Sequence, residues 1–434
     1  MFFERIEVRG AKNIPVEGPV LLVANHGNSL IDPMLLLGWV PVPVRFLAKS
    51  TLWKHPVIMP FVRIAGAIPV YRRQDAGVDT AQNEEMFARC HEVLADGGSV
   101  ALFPEGTSHN EPALLPMKTG AARIALQAEG RFGPLGIAVL PVGLMFEARG
   151  KFRSRALIEI GTALDPGPEI ALARTDEKAA VRQLTDRIGE GLREITPNYE
   201  SWDERRQVER AAQIYARPVT DVPATASLGG SFDVQRAFRD GYEVLRSHHS
   251  QEVAEVARHV DEYDRLLEIA GVDDKHVASR YQGRLVRSFT VRTLGFLLLR
   301  FPIAVVGAVL NFVPYQLIAI IIRLLKLEQE LLATYKILGG MLFYPAAWLA
   351  EGWLAARFWG NTAGVVVLVL GPLTGYVTLL FRSRWRRFLG EARAYLTLRT
   401  DRRMHEELRR RLDGVYEGVS ELVRLYDMLG AATD

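Results

Sequence analysis

Short apolar, β-rich runs recur through the first part of the chain: Val20–Ala24, Val44–Ala48, Val100–Phe103, Ile137–Val142 and Leu157–Ile160. Their length and their bounding turn residues predict strands. Between them the hydrophobic period changes to that of a helix. Met86, Cys90, Val93 and Leu94 fall on one face of a predicted helix over Asp79–Asp96, closed at Gly97-Gly98. Met117–Glu129 predicts a second helix, ended at Gly130. Val181, Leu184, Ile188, Leu192 and Ile195 stripe a third over Glu177–Ile195. Strands alternating with helices are the pattern of an α/β domain.

From Pro197 to about Arg287 the pattern is mostly helical and highly charged, with a linker expected at Pro218–Ser231. Hydropathy then rises abruptly. Phe301–Ile322 and Asn361–Phe381 contain no Asp, Glu, Lys or Arg, and Ile337–Trp359 contains only Glu351 and Arg357. Each reaches the roughly 20 residues needed to cross a bilayer. Arg382, Arg384, Arg386 and Arg387 follow the last run, and such residues bias a loop toward the cytoplasm. The chain opens without a basic segment followed by an apolar run, so no secretory signal is expected and the first domain is placed in the cytoplasm. A multi-pass membrane protein with its catalytic domain on that side needs an even number of crossings. This favours a hairpin of Ile337–Trp359 and Asn361–Phe381, with the proline-bearing run Phe301–Ile322 re-entrant or interfacial. A different spanning pair stays open, as does burial of all three runs in a soluble domain.

Length and charge refine this division. A chain of 434 residues exceeds one ordinary core. The expected regions are 1–215, a catalytic domain; 216–290, a charged helical connector; 291–387, a membrane region; and 388–434, an amphipathic helical tail. Lys plus Arg number 53 against 50 Asp plus Glu, a near balance that gives no basic field for nucleic acid. One cysteine, Cys90, excludes an internal disulfide framework and reads as a core thiol.

Four constellations carry chemistry. The run Val20–Ala24 leads directly into Asn25-His26-Gly27-Asn28-Ser29-Leu30-Ile31-Asp32-Pro33, which delivers a histidine at a strand end. Acyl transfer to an alcohol needs a base near neutral pH, and imidazole supplies one. Asp32 can orient that imidazole, or it can simply cap the helix that Pro33 and Met34–Leu37 begin. Gly66–Arg73 is an extended apolar segment ending in two guanidiniums, suited to phosphate or to a solvated strand end. Phe103-Pro104-Glu105-Gly106-Thr107-Ser108-His109 breaks a strand and presents a carboxylate and a glycine. Pro116-Met117-Lys118-Thr119-Gly120 then offers a lysine and a helix start to an anion. The fourth is Val139–Gly143, followed by the basic run Lys151–Arg155. Signatures of a serine-hydrolase elbow, a P-loop, a zincin and a cysteine zinc site are all missing.

These blocks, in this order over about Gly18–Asp165, resemble the glycerolipid acyltransferase family that makes lysophosphatidate and phosphatidate. The resemblance implies a mixed sheet flanked by helices, an acyl-CoA or acyl-carrier-protein donor, and neither metal, cofactor nor covalent acyl-enzyme. On that likeness His26 is the base and Asp32 its partner, while Arg72, Glu105, Gly106 and Thr107 match the acceptor-binding blocks. Two departures stand out: five residues, not four, separate His26 from Asp32, and Ser108-His109-Asn110 replaces the arginine that usually follows the threonine. Both resemble the fungal-type glycerol-3-phosphate and dihydroxyacetone-phosphate acyltransferase branch, as do Lys118-Thr119-Gly120 and Phe152–Arg155. Lys118, Arg153 and Arg155 are therefore expected to supply the phosphate-binding charge. The expected function is acylation of glycerol 3-phosphate or dihydroxyacetone phosphate at a membrane. Acylation of a lysophospholipid and lipid binding without turnover are the alternatives.

Overall fold

The computed structural model describes residues 2–55, 58–72, 81, 83–216, 227–278, 283–325 and 329–433. The N-terminal part is built in chain order from β1 (Arg5–Arg9), β2 (Val20–Ala24), α1 (Ile31–Trp39), β3 (Val44–Lys49), α2 (Met59–Ile64), β4 (Ile68–Val70), α3 (Asn83–Ala95), β5 (Ser99–Leu102), α4 (Gly120–Phe132), β6 (Ala138–Phe146), β7 (Arg155–Ile160), α5 (Gly167–Ala173) and α6 (Glu177–Ile195). The strands form one sheet in the order β1-β7-β6-β2-β5-β3-β4. Every pairing is parallel except β6 with β7. The sheet is thus mixed and flanked by helices, as the alternating pattern and the resemblance implied.

β2 lies at the centre and is buried along its whole length, because a parallel strand covered on both faces needs apolar residues at every position. Leu21, Val23, Val100 and Val139 face Cys90, Leu94, Ile124, Ala125, Leu184, Ile188 and Leu192 from α3, α4 and α6 in one core. The α6 boundaries match the hydrophobic stripe, and Asp176 caps its start by accepting from the Ala179 amide at 2.9 Å. α4 begins later than its pattern suggested: the Lys118 amide donates to Pro104 O at 2.8 Å, which holds Pro116–Thr119 outside the helix.

The chain forms two compact units. One comprises Met1–Trp202, Thr225–Asp233 and Glu328–Thr334; the other comprises Asp203–Ala224, Val234–Leu327 and Tyr335–Asp434. The helices beyond α6 are α7 (Trp202–Tyr215), α8 (Leu228–His248), α9 (Ser250–Ala270), α10 (Asp274–Ala278), α11 (Gly283–Leu310), α12 (Phe312–Leu325), α13 (Gln329–Trp359), α14 (Asn361–Thr400) and α15 (Arg402–Thr433). Of the expected linker Pro218–Ser231, residues 218–226 lie outside the described residues and Leu228–Ser231 open a helix instead. In the second unit Val260, Tyr263, Leu398 and Val415 share a core. The half-buried Arg210 joins Asp264 and Asp274 there.

Thr290–Leu310 and Asn361–Thr400 are, among the described residues, the two helices long and apolar enough to cross a membrane by length and composition. The run Phe301–Ile322 is broken between α11 and α12 at Asn311. α11 lies antiparallel on α14. Gly307 sits against Thr374 and Thr378, where a Cβ would collide. Thr378 Oγ1 donates to Ala304 O at 3.0 Å, and Phe301 packs on Phe381. At the break, Asn311 Nδ2 donates to Gly371 O at 3.2 Å and Trp348 Nε1 donates to Asn311 Oδ1 at 3.0 Å.

Candidate active site

β2, β4, β5 and β6 run parallel, so their carboxyl ends open on one edge of the sheet, where α/β folds place ligands. His26 follows β2, Arg72 follows β4, Phe103–Thr107 follow β5 and Arg149 follows β6. His26, Arg72 and the Phe103–Thr107 turn meet there because of the strand order, not because of their spacing in the chain.

His26 Nδ1 lies 2.9 Å from Asp32 Oδ2. With the carboxylate ionised, Nδ1 carries the proton and donates, which leaves Nε2 as a base. The ring stacks on Phe103 with centroids 4.0 Å apart and planes 9° apart. Asp32 is fully buried, and the Asn28 amide also donates to its Oδ2 at 2.7 Å. It is the second residue of α1, whose N-cap is Leu30 with no side-chain cap, so helix capping is not its role. The five-residue interval closes through Ser29, which takes a left-handed φ of 46°. Asn25 fixes the turn to β6: Leu144 N donates to its Oδ1 at 2.6 Å, and its Nδ2 donates to Leu144 O at 3.1 Å.

Glu105 is a strap under this turn. Its Oε1 accepts from the His26 amide at 2.8 Å, and its Oε2 accepts from the Leu115 amide at 2.8 Å and from His109 Nε2. The Glu111 amide donates to His109 Nδ1 at 3.1 Å, so Nε2 is the nitrogen that donates to Glu105. His109 also donates its own amide to His26 O at 3.1 Å. The carboxylate expected to bind substrate is thus engaged with protein groups on both oxygens.

The cations are distributed differently from the expectation. Arg72 Nη1 donates to Gly106 O at 3.0 Å. Lys118 crosses Gly106 so closely that a Cβ there would stand 2.7 Å from Lys118 Cδ, and Gly106 has a φ of 74° that glycine alone adopts freely. Thr107 lies in the same turn, with its hydroxyl 3.4 Å from Ser108 O. Arg153 pairs with Glu4 at 2.7 Å and Arg155 with Glu147 at 3.1 Å. Arg155 begins β7, two strands from β2, Arg153 lies in the turn before it, and their described contacts do not bring them to His26. Arg149 does come there: its guanidinium carbon lies 3.0 Å from where a Cβ on Gly27 would stand, and Nη1 donates to Asn110 Oδ1 at 3.0 Å. This arginine lies in no recognisable motif; its place after β6, beside β2, marks it. Arg73 lies outside the described residues.

Burial pushes the Cys90 thiol up to about 12, so it is inert core. His91 beside it is held below its ordinary value, chiefly by burial and further by Arg131. No group of three or more His, Cys, Asp or Glu is placed to hold a metal ion among the described residues.

Comparison with known proteins agrees with this geometry. The acyltransferase family model matches residues 5–145. The chain is similar to glycerol-3-phosphate O-acyltransferase 1 of Saccharomyces cerevisiae, 24% identical over 80% of this chain and 58% of that protein. It is also similar to glycerol-3-phosphate O-acyltransferase 2 of the same yeast, 27% identical over 61% of this chain and 37% of that protein. A chloroplastic 1-acyl-sn-glycerol-3-phosphate acyltransferase of Arabidopsis thaliana is 31% identical over 33% of this chain and 36% of that protein. The chain thus spans 58% or less of the length of these relatives. Residues 5–145, the segment matched by the acyltransferase family model, hold the strand-end histidine and its carboxylate.

Proposed function

We propose that the chain moves a fatty acyl group from a thioester, acyl-CoA or acyl-carrier protein, to the hydroxyl of glycerol 3-phosphate or dihydroxyacetone phosphate. The observation that carries this reading is the His26–Asp32 hydrogen bond at the open end of β2. His26 Nε2 takes the acceptor's hydroxyl proton as the oxygen attacks the thioester carbonyl. A C–O bond forms, the C–S bond breaks, and the proton passes on to the departing thiolate. The step is a single displacement that uses no cofactor or metal. Asp32 holds the imidazole in the Nδ1–H form and stabilises its cation. Lys118, Arg72 and Arg149 stand around the Gly106 and Gly27 turns, where they hold the acceptor phosphate. The two yeast relatives, named as glycerol-3-phosphate acyltransferases, support that acceptor. The Arabidopsis relative supports a second reading with a lysophosphatidate acceptor.

We place the apolar helices in the membrane, with α13 and α14 as a crossing hairpin and α11–α12 as a re-entrant one, and the catalytic domain on the cytoplasmic side. The deciding experiment is turnover of purified wild type and His26→Ala with each acceptor and each donor. Thiol release with glycerol 3-phosphate, abolished in the variant, is expected. Release with lysophosphatidate alone moves the assignment to the second reading, and near-normal turnover in His26→Ala refutes the mechanism.

A further inference from the structure

The stretches of α11, α12 and α14 that carry two of the apolar runs have a one-sided charge. Residues 283–325 and 361–390 contain Arg284, Arg287, Arg292, Arg300, Arg323, Arg382, Arg384, Arg386 and Arg387 and not one Asp or Glu. Two of these arginines, on different helices, converge on a single ring. The Arg300 guanidinium of α11 lies 4.0 Å from the Phe296 centroid and that of Arg384 of α14 lies 5.0 Å from it. All three side chains are half-buried. Neither guanidinium has a hydrogen-bond or ion-pair partner among the described residues. An aromatic face attracts a cation, but two cations on one ring still repel each other, and partial burial strengthens that repulsion. Residues 283–325 and 361–390 supply no carboxylate to offset it, and Glu391 further along α14 is paired with His276. One helical turn away, Phe301 packs on Phe381 and the uncharged, small-residue interface of Gly307 with Thr374 begins. The arginine pair therefore marks the level at which the apolar segments end. Beside it Arg382 lies 5.4 Å from the Tyr315 centroid and donates to Tyr315 Oη at 3.2 Å.

We propose that Arg300 and Arg384, which converge on Phe296, bind the phosphate of an anionic phospholipid headgroup. The inference rests on the membrane placement given above. A phosphate between two planar guanidiniums accepts from both forks and cancels the repulsion. A lipid bound there keeps its acyl chains beside the apolar helices below the pair. This site lies within the helical unit and uses none of the groups around His26.

The full chain in detergent is titrated with phosphatidylglycerol, phosphatidylcholine and inorganic phosphate, and native mass spectrometry gives the Kd of the first molecule bound. Wild type should favour phosphatidylglycerol over phosphatidylcholine by roughly tenfold, as about two basic groups near a phosphate imply. The preference should vanish in Arg300→Gln/Arg384→Gln and largely persist in Arg300→Lys/Arg384→Lys. A preference that survives the glutamine pair overturns the site. One lost equally in the lysine pair assigns the effect to packing and overturns it too. Displacement of phosphatidylglycerol by an equal concentration of inorganic phosphate would make this a free-anion site and not a lipid site. Release of the chain from membranes by alkaline carbonate refutes the membrane placement. Retention in the membrane without any phosphatidylglycerol preference refutes the headgroup site alone.

Discussion

Asp32 serves His26 Nδ1 and the Asn28 amide with the same oxygen, Oδ2. An asparagine in its place can satisfy one of these donors, but it carries no charge and favours the wrong imidazole tautomer. Asp32→Asn is therefore expected to lower kcat by about 10³–10⁴ with KM for the acceptor little changed. Steady-state kinetics check this, and a loss below about tenfold would sink the orienting role. His91 makes a different kind of prediction, because it touches no part of the site. Its folded-state value is depressed by burial and by Arg131, so below its ordinary value of 6.5 the unfolded chain binds a proton that the folded chain resists. Stability is fully present above about pH 7 and falls as pH drops through 6.5 toward the folded value. His91→Leu should flatten that loss between pH 7.5 and 5.5 in thermal melts, and parallel curves for the two proteins would contradict it. At this scale the sequence was partly legible. His26 and Asp32 declared themselves because both fall in one short turn. Arg149, Asn25 and Asn83 did not. Asn83 clamps the backbone of Tyr71 by accepting at 2.9 Å and donating at 2.7 Å, and nothing local distinguishes it from any helix-start asparagine.

The turn after β5 acts as a unit around Glu105. Its two oxygens receive three donors from His26, His109 and Leu115, which belong to the β2 turn and to two parts of the segment before α4. Glutamine at 105 brings an amide NH₂ to a position where only an acceptor fits, so at least one buried N–H loses its partner. Glu105→Gln should cost about 1–3 kcal/mol of stability and should lower turnover by displacing His26, both read from melts and kinetics of the same preparation. A variant with unchanged melting and impaired acceptor KM would restore the substrate-binding role that the motif suggested. Elements were legible where burial fixed their composition. The central strands are apolar throughout, and the α6 stripe gave its boundaries. Edge strands were less visible: β1 reads Arg5-Ile6-Glu7-Val8-Arg9, half charged because one side meets no further strand, and β4 has only three residues. The start of α4 was misjudged because a tertiary hydrogen bond from Lys118 to Pro104 overrides local helix pattern.

For the helical unit, hydropathy gave the position of the apolar segments but not their depth. By length and composition Thr290–Leu310 qualifies as a crossing helix, whereas Phe301 and Gly307 pack on Phe381 and Thr374, within the second half of the apolar run of α14. Asn361–Phe381 covers about 30 Å at roughly 1.5 Å per residue, the thickness of a hydrocarbon core. Asn311, at the break between α11 and α12, meets Gly371 at the middle of that run. α12 then turns back, since Tyr315 reaches Arg382 at the end of the run. A pair of helices that reaches the midpoint and returns needs its exposed backbone satisfied inside protein, and Asn311 does this with Gly307 O, Gly371 O and the Trp348 indole. This geometry favours α13 and α14 as the crossing pair. Cysteine labelling tests it with little background, because Cys90 is buried with its thiol pushed up to about 12. In sealed vesicles an impermeant maleimide should reach Ser383→Cys from one face and Thr362→Cys, in the first turn of α14, from the other. Val313→Cys, next to the α11–α12 break, should be reached from neither face. Labelling of Val313→Cys from the same face as Thr362→Cys would make α11 a full crossing. The apolar runs would then be three or four crossings, and the half-depth hairpin would be wrong.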